Sequence, residues 1–507
     1  MHLPSAWRSF NPGPRLGARE WVMAVFWLAI ALGTSARAAA AEPADGRRAR
    51  VEAGLLPAIE LAGRRAPDWR LQDRMQRYHV PGLGIAVIDG GTLDWVQAYG
   101  VVDARGTEPV TVSTLFQAAS VTKLVTAAGA MRLVQQGMLE PEADVNRYLR
   151  SWQVPVWPEM GGRPVTLAGL LSHTAGMGVQ GFAGYAPGTA LPDLRQMLDG
   201  LAPANSPPVR LDGVPGAAYR YSGGGYLVVQ QLVEDLTGKT FQDVMRREVL
   251  QPAGMQASTY ALAPAGAACG HGYDGAPRAG CGNVYPETAA AWLWSTPGDL
   301  ARLGLALAAS LRDEPSAGLL RPAAAQAMLT PLLDEAGLGP GVHGTGSHLY
   351  FDHAGWNRGF RAYLLVYPRL GKGVAVMANG DGADALVGEI VRGVAHAYGW
   401  PDFSPERRQA IVLDNARLDA RAGQYEVADL GLVLSVTRQG DHLQVATPRG
   451  SSYTFFPASD RRYFALEDGA GLEFDGDGSE PGTGLRVWDM HAVRVLDAPP
   501  APASATP

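Results

Sequence analysis

Ser120 to Gly137 reads SVTKLVTAAGAMRLVQQG, and nearly every position in it is apolar or small. That composition predicts a helix buried on most sides, with Gly137 as a stop just past its end. Lys123 does not belong in such a helix, because a buried ammonium is costly unless it is paired or gives up its proton. It follows Ser120 by one turn, and residues three apart share a helix face. A serine at a helix N-terminus with an amine beside it is an activated nucleophile. The helix dipole and the first free N–H groups there favour developing negative charge. The bland alternative is a lysine that snorkels to the surface and a serine that caps the helix.

Lysine is rare in this chain. It occurs only at Lys123, Lys239 and Lys372, and the last two lie in the turns TGKT and LGKG. Only Lys123 falls inside a regular element. Arginine cannot release its proton in a protein, whereas a buried lysine can.

At 507 residues the chain is too long for one ordinary domain and predicts two folded units. A net charge of −6 with no Lys/Arg run argues against a nucleic-acid partner. Residues 1–41 read as an export signal: Arg8, Arg15 and Arg19 precede the apolar run Trp21–Leu32, and small residues follow through Ala41. The run is short for a bilayer span, so cleavage between Ala38 and Ala41 is expected, with no stable membrane insertion afterwards. An uncleaved N-terminal anchor is the alternative. The only cysteines, Cys269 and Cys281, lie close together in AACGHGYDGAPRAGC. In an exported protein such a pair reads as a disulfide. A metal site with His271 is the weaker reading.

Taken in order, 51–78 carries helical spacing. Leu83–Asp89 and Leu93–Tyr99 are strands joined at Gly90-Gly91-Thr92. Thr166–Leu171, Tyr226–Leu236 and Ser295–Ala309 read as helices, and 178–218 as a Gly/Pro-rich lobe over a cleft. Strands at 360–367 and 374–379 and a helix at 385–398 follow. Strands on both sides of a helical insert imply one shared sheet. Residues 45–400 therefore form the first unit, 401–417 a linker, 418–498 an antiparallel β domain of short alternating runs, and 499–507 a disordered tail.

Two further stretches bear on chemistry. In PGAAYRYSGGGY, Tyr221 sits on a glycine-bounded turn before a helix. Beside a lysine ammonium its phenol is expected to deprotonate more easily and serve as a general base; the alternative is a tyrosine that only packs before the helix. In HAGWNRGF, from His353, strand-edge N–H groups next to a serine are candidates to complete an oxyanion hole, the alternative being a hairpin with a satisfied histidine. His343, His348 and His353 recur every five residues, which fits no metal-binding helix.

Together these stretches resemble the serine β-lactamase and penicillin-binding family, in its class C β-lactamase-like branch. Val80-Pro81-Gly82, LLSHTAG, Pro252-Ala253-Gly254-Met255 and Ser295-Thr296-Pro297-Gly298-Asp299 extend the match over about residues 50–400. The resemblance implies an α+β fold: an antiparallel sheet flanked by helices with a mainly helical lobe, plus a small C-terminal antiparallel β-barrel domain. It implies Ser120 as nucleophile, Lys123 as its activator, Tyr221 as base and proton shuttle, and the N–H groups of Ser120 and Trp356 as the oxyanion hole. His353, Gly355, Ser222 and Gly223 would flank the substrate. Two motifs depart from the family. Gly223 replaces the amide of Tyr-x-Asn, and His353-Ala354-Gly355 replaces Lys-Thr-Gly.

The reading is an exported, periplasmic or secreted serine hydrolase acting through an acyl-enzyme on ester, amide or lactam carbonyls. Its substrates would be small molecules or peptidoglycan-derived peptides, and no cofactor is implied. A non-catalytic sensor that keeps the pocket, or a recognition role for the β domain, are the rivals.

Overall fold

A computed structural model describes residues 43–495, apart from 66, 156–160, 263, 315–316, 449 and 477–482. The export signal and the 499–507 tail lie outside the described residues. No helix among the described residues is long and apolar enough to cross a membrane.

The helical spacing over 51–78 resolves into α1 (Ala44–Ala53), β1 (Ile59–Leu61) and α2 (Leu71–Arg77). Gly54, Pro57 and Pro67 explain the division, since each interrupts a helical ladder. The hairpin β2 (Gly82–Asp89) and β3 (Thr92–Gly100) forms as expected, turning at Gly90 and Gly91, both at positive φ. A short strand, β4 (Phe116–Gln117), leads through a 3₁₀ turn at Ala119–Val121 into α3 (Thr122–Gln135). Every residue of α3 from Thr122 to Met131 is buried, and Gly137 ends it at φ 75°.

The helical lobe comprises α4 (Leu167–Leu171), α5 (Leu194–Asp199), α6 (Gly223–Thr237) and α7 (Phe241–Met245). Side-chain caps set their starts: Thr166, Asp193, Ser222 and Thr240 each accept a backbone N–H of the first turn. Next come α8 (Thr288–Ala291), β5 (Trp294–Ser295), α9 (Pro297–Leu311) and α10 (Pro322–Met328). The chain then returns through β6 (Gly341–His343), β7 (Tyr350–Asn357), β8 (Phe360–Tyr367) and β9 (Lys372–Ala378), closing with α11 (Ala383–Ala397).

The shared sheet is six-stranded and antiparallel, in the order β3-β2-β9-β8-β7-β6. One apolar cluster lies between the sheet and the α3/α6/α9 lobe, and a second between the sheet and α1, α2 and α11. Strand β8 is buried along its whole length because both faces are covered.

Residues 401–417 differ from the expected linker: β10 (Glu406–Arg408) pairs in parallel with β1, and α12 (Asn415–Arg421) begins at an Asp414 cap. Backbone groups that a free linker would leave to water are thereby paired. The C-terminal region is a closed antiparallel barrel of eight strands. They are β11 (Gly423–Val427), β12 (Leu432–Gln439), β13 (His442–Ala446), β14 (Ser452–Pro457), β15 (Arg462–Ala465), β16 (Gly471–Phe474), β17 (Gly484–Val487) and β18 (Met490–Val495). Six lie on the alternating runs 432–438, 442–447, 453–456, 463–466, 485–490 and 493–496, whereas β11 and β16 fall outside them. Side chains including Tyr425, Phe455, Phe474 and Leu485 fill the interior.

Candidate active site

The 3₁₀ turn that carries Ser120 begins with a strained residue. Ala119 is buried at φ 49°, a conformation that costs an alanine roughly 1–2 kcal/mol. The following helical turn brings Lys123 under Ser120: its Nζ donates to Ser120 Oγ at 3.1 Å and to the Ala290 carbonyl at 2.9 Å. The α8 turn acts as an acceptor platform here. The Ala289 carbonyl accepts the Thr126 hydroxyl at 2.7 Å, and the Ala291 carbonyl accepts Asn357 Nδ2 at 3.1 Å.

Lys123 is 2 % exposed, and among the described residues no carboxylate forms an ion pair with it. Burial lowers its pKa to about 7. The ammonium lies 5.0 Å from the Tyr221 ring centre and 5.6 Å from that of Tyr226. Burial pushes the Tyr221 phenol up to about 12, although the Ser120 hydroxyl pulls the other way. Burial thus acts on Tyr221 against the expected easier deprotonation beside the lysine, and it outweighs the pull of Ser120.

His173, in the LLSHTAG stretch, stands behind Tyr221 with ring centres 4.3 Å apart. Its Nδ1 accepts the Ser222 N–H at 3.0 Å, which puts the ring proton on Nε2. Ser222, expected beside the substrate, is instead engaged as the α6 cap. Its hydroxyl donates to the Gly178 carbonyl at 2.6 Å and accepts the Gly225 N–H at 2.9 Å. Gly223 has no space for a side chain: a Cβ there would lie 2.6 Å from Phe182 Cε2.

The second wall is β7. His353 is buried, and its Nδ1 faces the Ala354 carbonyl at 2.7 Å. Burial, with a smaller push from Lys123, lowers its pKa to about 4, so it is neutral near pH 7. A Cβ on Gly355 would lie 2.2 Å from the Ala118 carbonyl oxygen. Only glycine lets β7 come this close to the Ser120 turn, and Trp356 follows directly. Asn357 then ties the strand end to Gln117, donating to its Oε1 at 2.7 Å, while Gln117 donates to the Asn283 carbonyl at 3.1 Å. Below the hairpin, Arg361 is buried against Asp381 and Asp384 and donates to the Asn357 carbonyl at 3.1 Å.

Cys269 and Cys281 form a disulfide in the loop beside this hairpin, where a Cβ on Gly359 would lie 2.7 Å from Gly270 Cα. The five-residue histidine spacing dissolves in three dimensions. His343 pairs with Asp352 and Glu335, His348 with Asp402, and only His353 reaches the Lys123 site.

Several neighbours carry no local sequence signal. Glu287, just before α8, is fully buried, neither carboxyl oxygen has a hydrogen-bond partner, and burial raises its pKa to about 8. Phe182, Gln117 and Asn357 become visible only once the strands are assembled. The PETAAAW run around Glu287, an acid inside an apolar stretch, was the one hint available.

The site thus has a Ser-x-x-Lys turn on one flank and a glycine-bearing strand on the other. The Beta-lactamase family profile matches residues 68–397, and the chain belongs to the β-lactamase family. Similar proteins include the unguisins hydrolase ungD′ of Aspergillus campestris, 32 % identical over 38 % of this chain and 35 % of its own length. Another is the esterase EstB of Burkholderia gladioli, 31 % identical over 40 % of this chain and 52 % of its own. The chain thus spans about half or less of the length of these curated relatives. The octameric penicillin-binding protein homologue of Pyrococcus abyssi shares the fold. It has a TM-score of 0.57 at 20 % identity, over 84 % of this chain and 98 % of that one.

Proposed function

We propose that this chain is a serine hydrolase that works through an acyl-enzyme. The observation that carries the reading is the contact of a buried, unpaired Lys123 amine, at 3.1 Å, with the Ser120 hydroxyl. In the neutral form that amine accepts the Ser120 proton as Oγ bonds to the substrate carbonyl carbon. The oxyanion is held by the N–H groups of Ser120 and Trp356. Tyr221, which keeps its proton near neutral pH, donates it to the departing group and is recharged from Lys123. Water then attacks the acyl-enzyme, and Ser120 recovers its proton by the reverse route.

The substrate class follows from what the site offers. His353 is neutral, Ala354 has no hydroxyl and Gly223 has no side chain, so a carboxylate or amide finds few partners near Ser120. Uncharged short esters are the preferred class, with D-amino-acid peptides and β-lactams weaker. Residues 45–400 would carry the chemistry and 418–498 would be an appended domain. The apolar run before Ala41 supports export. The test is fluorophosphonate labelling of wild type against Ser120→Ala, followed by p-nitrophenyl esters, D-Ala-D-Ala peptides and nitrocefin on one preparation. The expected order is butyrate or acetate ester above nitrocefin in kcat/KM. Absence of Ser120-dependent labelling overturns the hydrolase reading. A nitrocefin value equal to the ester's overturns the substrate class.

A further inference from the structure

Helix α4 ends in a way that puts His173 where a side chain is costly. The Thr174 N–H reaches back to the Gly169 carbonyl at 2.8 Å and the His173 N–H to the Leu170 carbonyl at 3.4 Å, which closes the helix with His173 at φ 61°. Glycine is the usual residue at such a place, because a Cβ there is strained. The helix stop alone gives no reason for a histidine, so the reason lies in what the side chain does. That side chain is engaged around Tyr221. The His173 carbonyl accepts the Arg220 N–H at 2.8 Å and its Nδ1 accepts the Ser222 N–H at 3.0 Å, so one residue holds the backbone on both sides of Tyr221. Between these two bonds the imidazole lies against the phenol, with ring centres 4.3 Å apart and planes inclined by 35°. Nε2 has no hydrogen-bond partner among the described residues. The ring's polar tie is therefore to the N–H beside Tyr221. Residues 216–220 are exposed, so the approach to Tyr221 has little packing of its own.

We infer that His173 is a positioning residue for Tyr221, its carbonyl, Nδ1 and ring together fixing the phenol that protonates the departing group. This rests on the acid role given to Tyr221 above. Without Nδ1 the Ser222 N–H, in a residue that is 2 % exposed, would be left unpaired, and the turn would shift to find another acceptor. A small displacement of an acid costs rate only in the step that uses its proton.

Two esters with one acyl group and different leaving groups read this: ethyl butyrate, whose alkoxide needs a proton to depart, and p-nitrophenyl butyrate, whose phenolate does not. Tyr221→Phe should lower the ethyl-to-p-nitrophenyl ratio of kcat/KM by about a hundredfold. His173→Gly, which suits the backbone at φ 61°, should lower the same ratio by about tenfold or more. His173→Asn tolerates that backbone and can place its amide oxygen where Nδ1 stands, so its ratio should stay within about threefold of wild type. Added to Tyr221→Phe, His173→Gly should lower the ratio no further, because the two residues act through one group. A ratio in His173→Gly within about twofold of wild type overturns the inference. So does a further fall when His173→Gly is added to Tyr221→Phe. If His173→Gly fails to fold, His173→Gln decides: its amide reaches past the Nδ1 position and should lose the ratio, and parity with His173→Asn overturns the inference. Failure of the reading beneath looks different: Tyr221→Phe leaves the ratio unchanged or Ser120 is not labelled, and the inference falls with it.

Discussion

Gly355 and Ala118 meet so closely that a single methyl group would separate them. A Cβ on Gly355 would fall 2.2 Å from the Ala118 carbonyl oxygen, two residues before Ser120. In the proposed mechanism this contact sets how near the Trp356 N–H comes to the Ser120 oxygen. Gly355→Ala should push β7 away and lower kcat/KM by about a hundredfold, the usual cost of losing one oxyanion donor. Steady-state kinetics with a melting curve check this; near-wild-type activity in the folded variant would remove the oxyanion role from β7.

Ser120→Ala removes one oxygen from a turn whose strain resides in Ala119, so the fold should survive. Turnover of any ester should drop below about 1 % of wild type, because a nucleophile has no substitute. Residual activity above that level, in material free of wild type, would sink the mechanism.

Lys123→Arg should be nearly as damaging as Lys123→Ala, each losing about a hundredfold or more, since a guanidinium accepts no proton. It is also too large for the gap between Ser120 and the Ala290 carbonyl. Burial lowers Lys123 to about 7, so wild-type kcat/KM should climb as pH rises through 7. A flat pH profile from 6 to 8 would deny Lys123 the role of base.

His353 links stability to acid. Its pKa falls from 6.5 to about 4 on folding, so the unfolded chain binds the proton that the native ring refuses. The resulting stability is complete above about pH 6.5 and is lost as pH falls towards 4. The single histidine contributes about 3 kcal/mol across that window. Urea unfolding at pH 7 and pH 4.5 should show a smaller acid loss in His353→Asn than in wild type. Equal losses would place the acid sensitivity elsewhere.

Cys269 and Cys281 should resist alkylation until reductant is added, as intact-mass measurement of oxidised material would reveal. Their short loop limits the stabilisation to about 3 kcal/mol. Reduction should therefore lower the melting temperature only modestly. Two thiols free without reductant would contradict the bond.

Much of the chain was legible because its signals are local. Ser120 and Lys123 had to share a face once the stretch was helical, since one turn of backbone separates them. The β2–β3 hairpin and six barrel strands are written in side-chain alternation and glycine turns, also short-range properties. The divided N-terminal helix and the strand inside the expected linker were not legible, because β1 and β10 each find their backbone partner in the other. Tertiary structure alone decided the chemistry of the site. Which carbonyl meets the lysine, that Phe182 fills the space beside Gly223, and that Ser222 caps rather than faces the cleft are outcomes of packing between distant segments. The proton affinities are of the same kind. Burial lowers Lys123 and His353 and raises Tyr221 and Glu287, and no residue carries its own burial in its sequence.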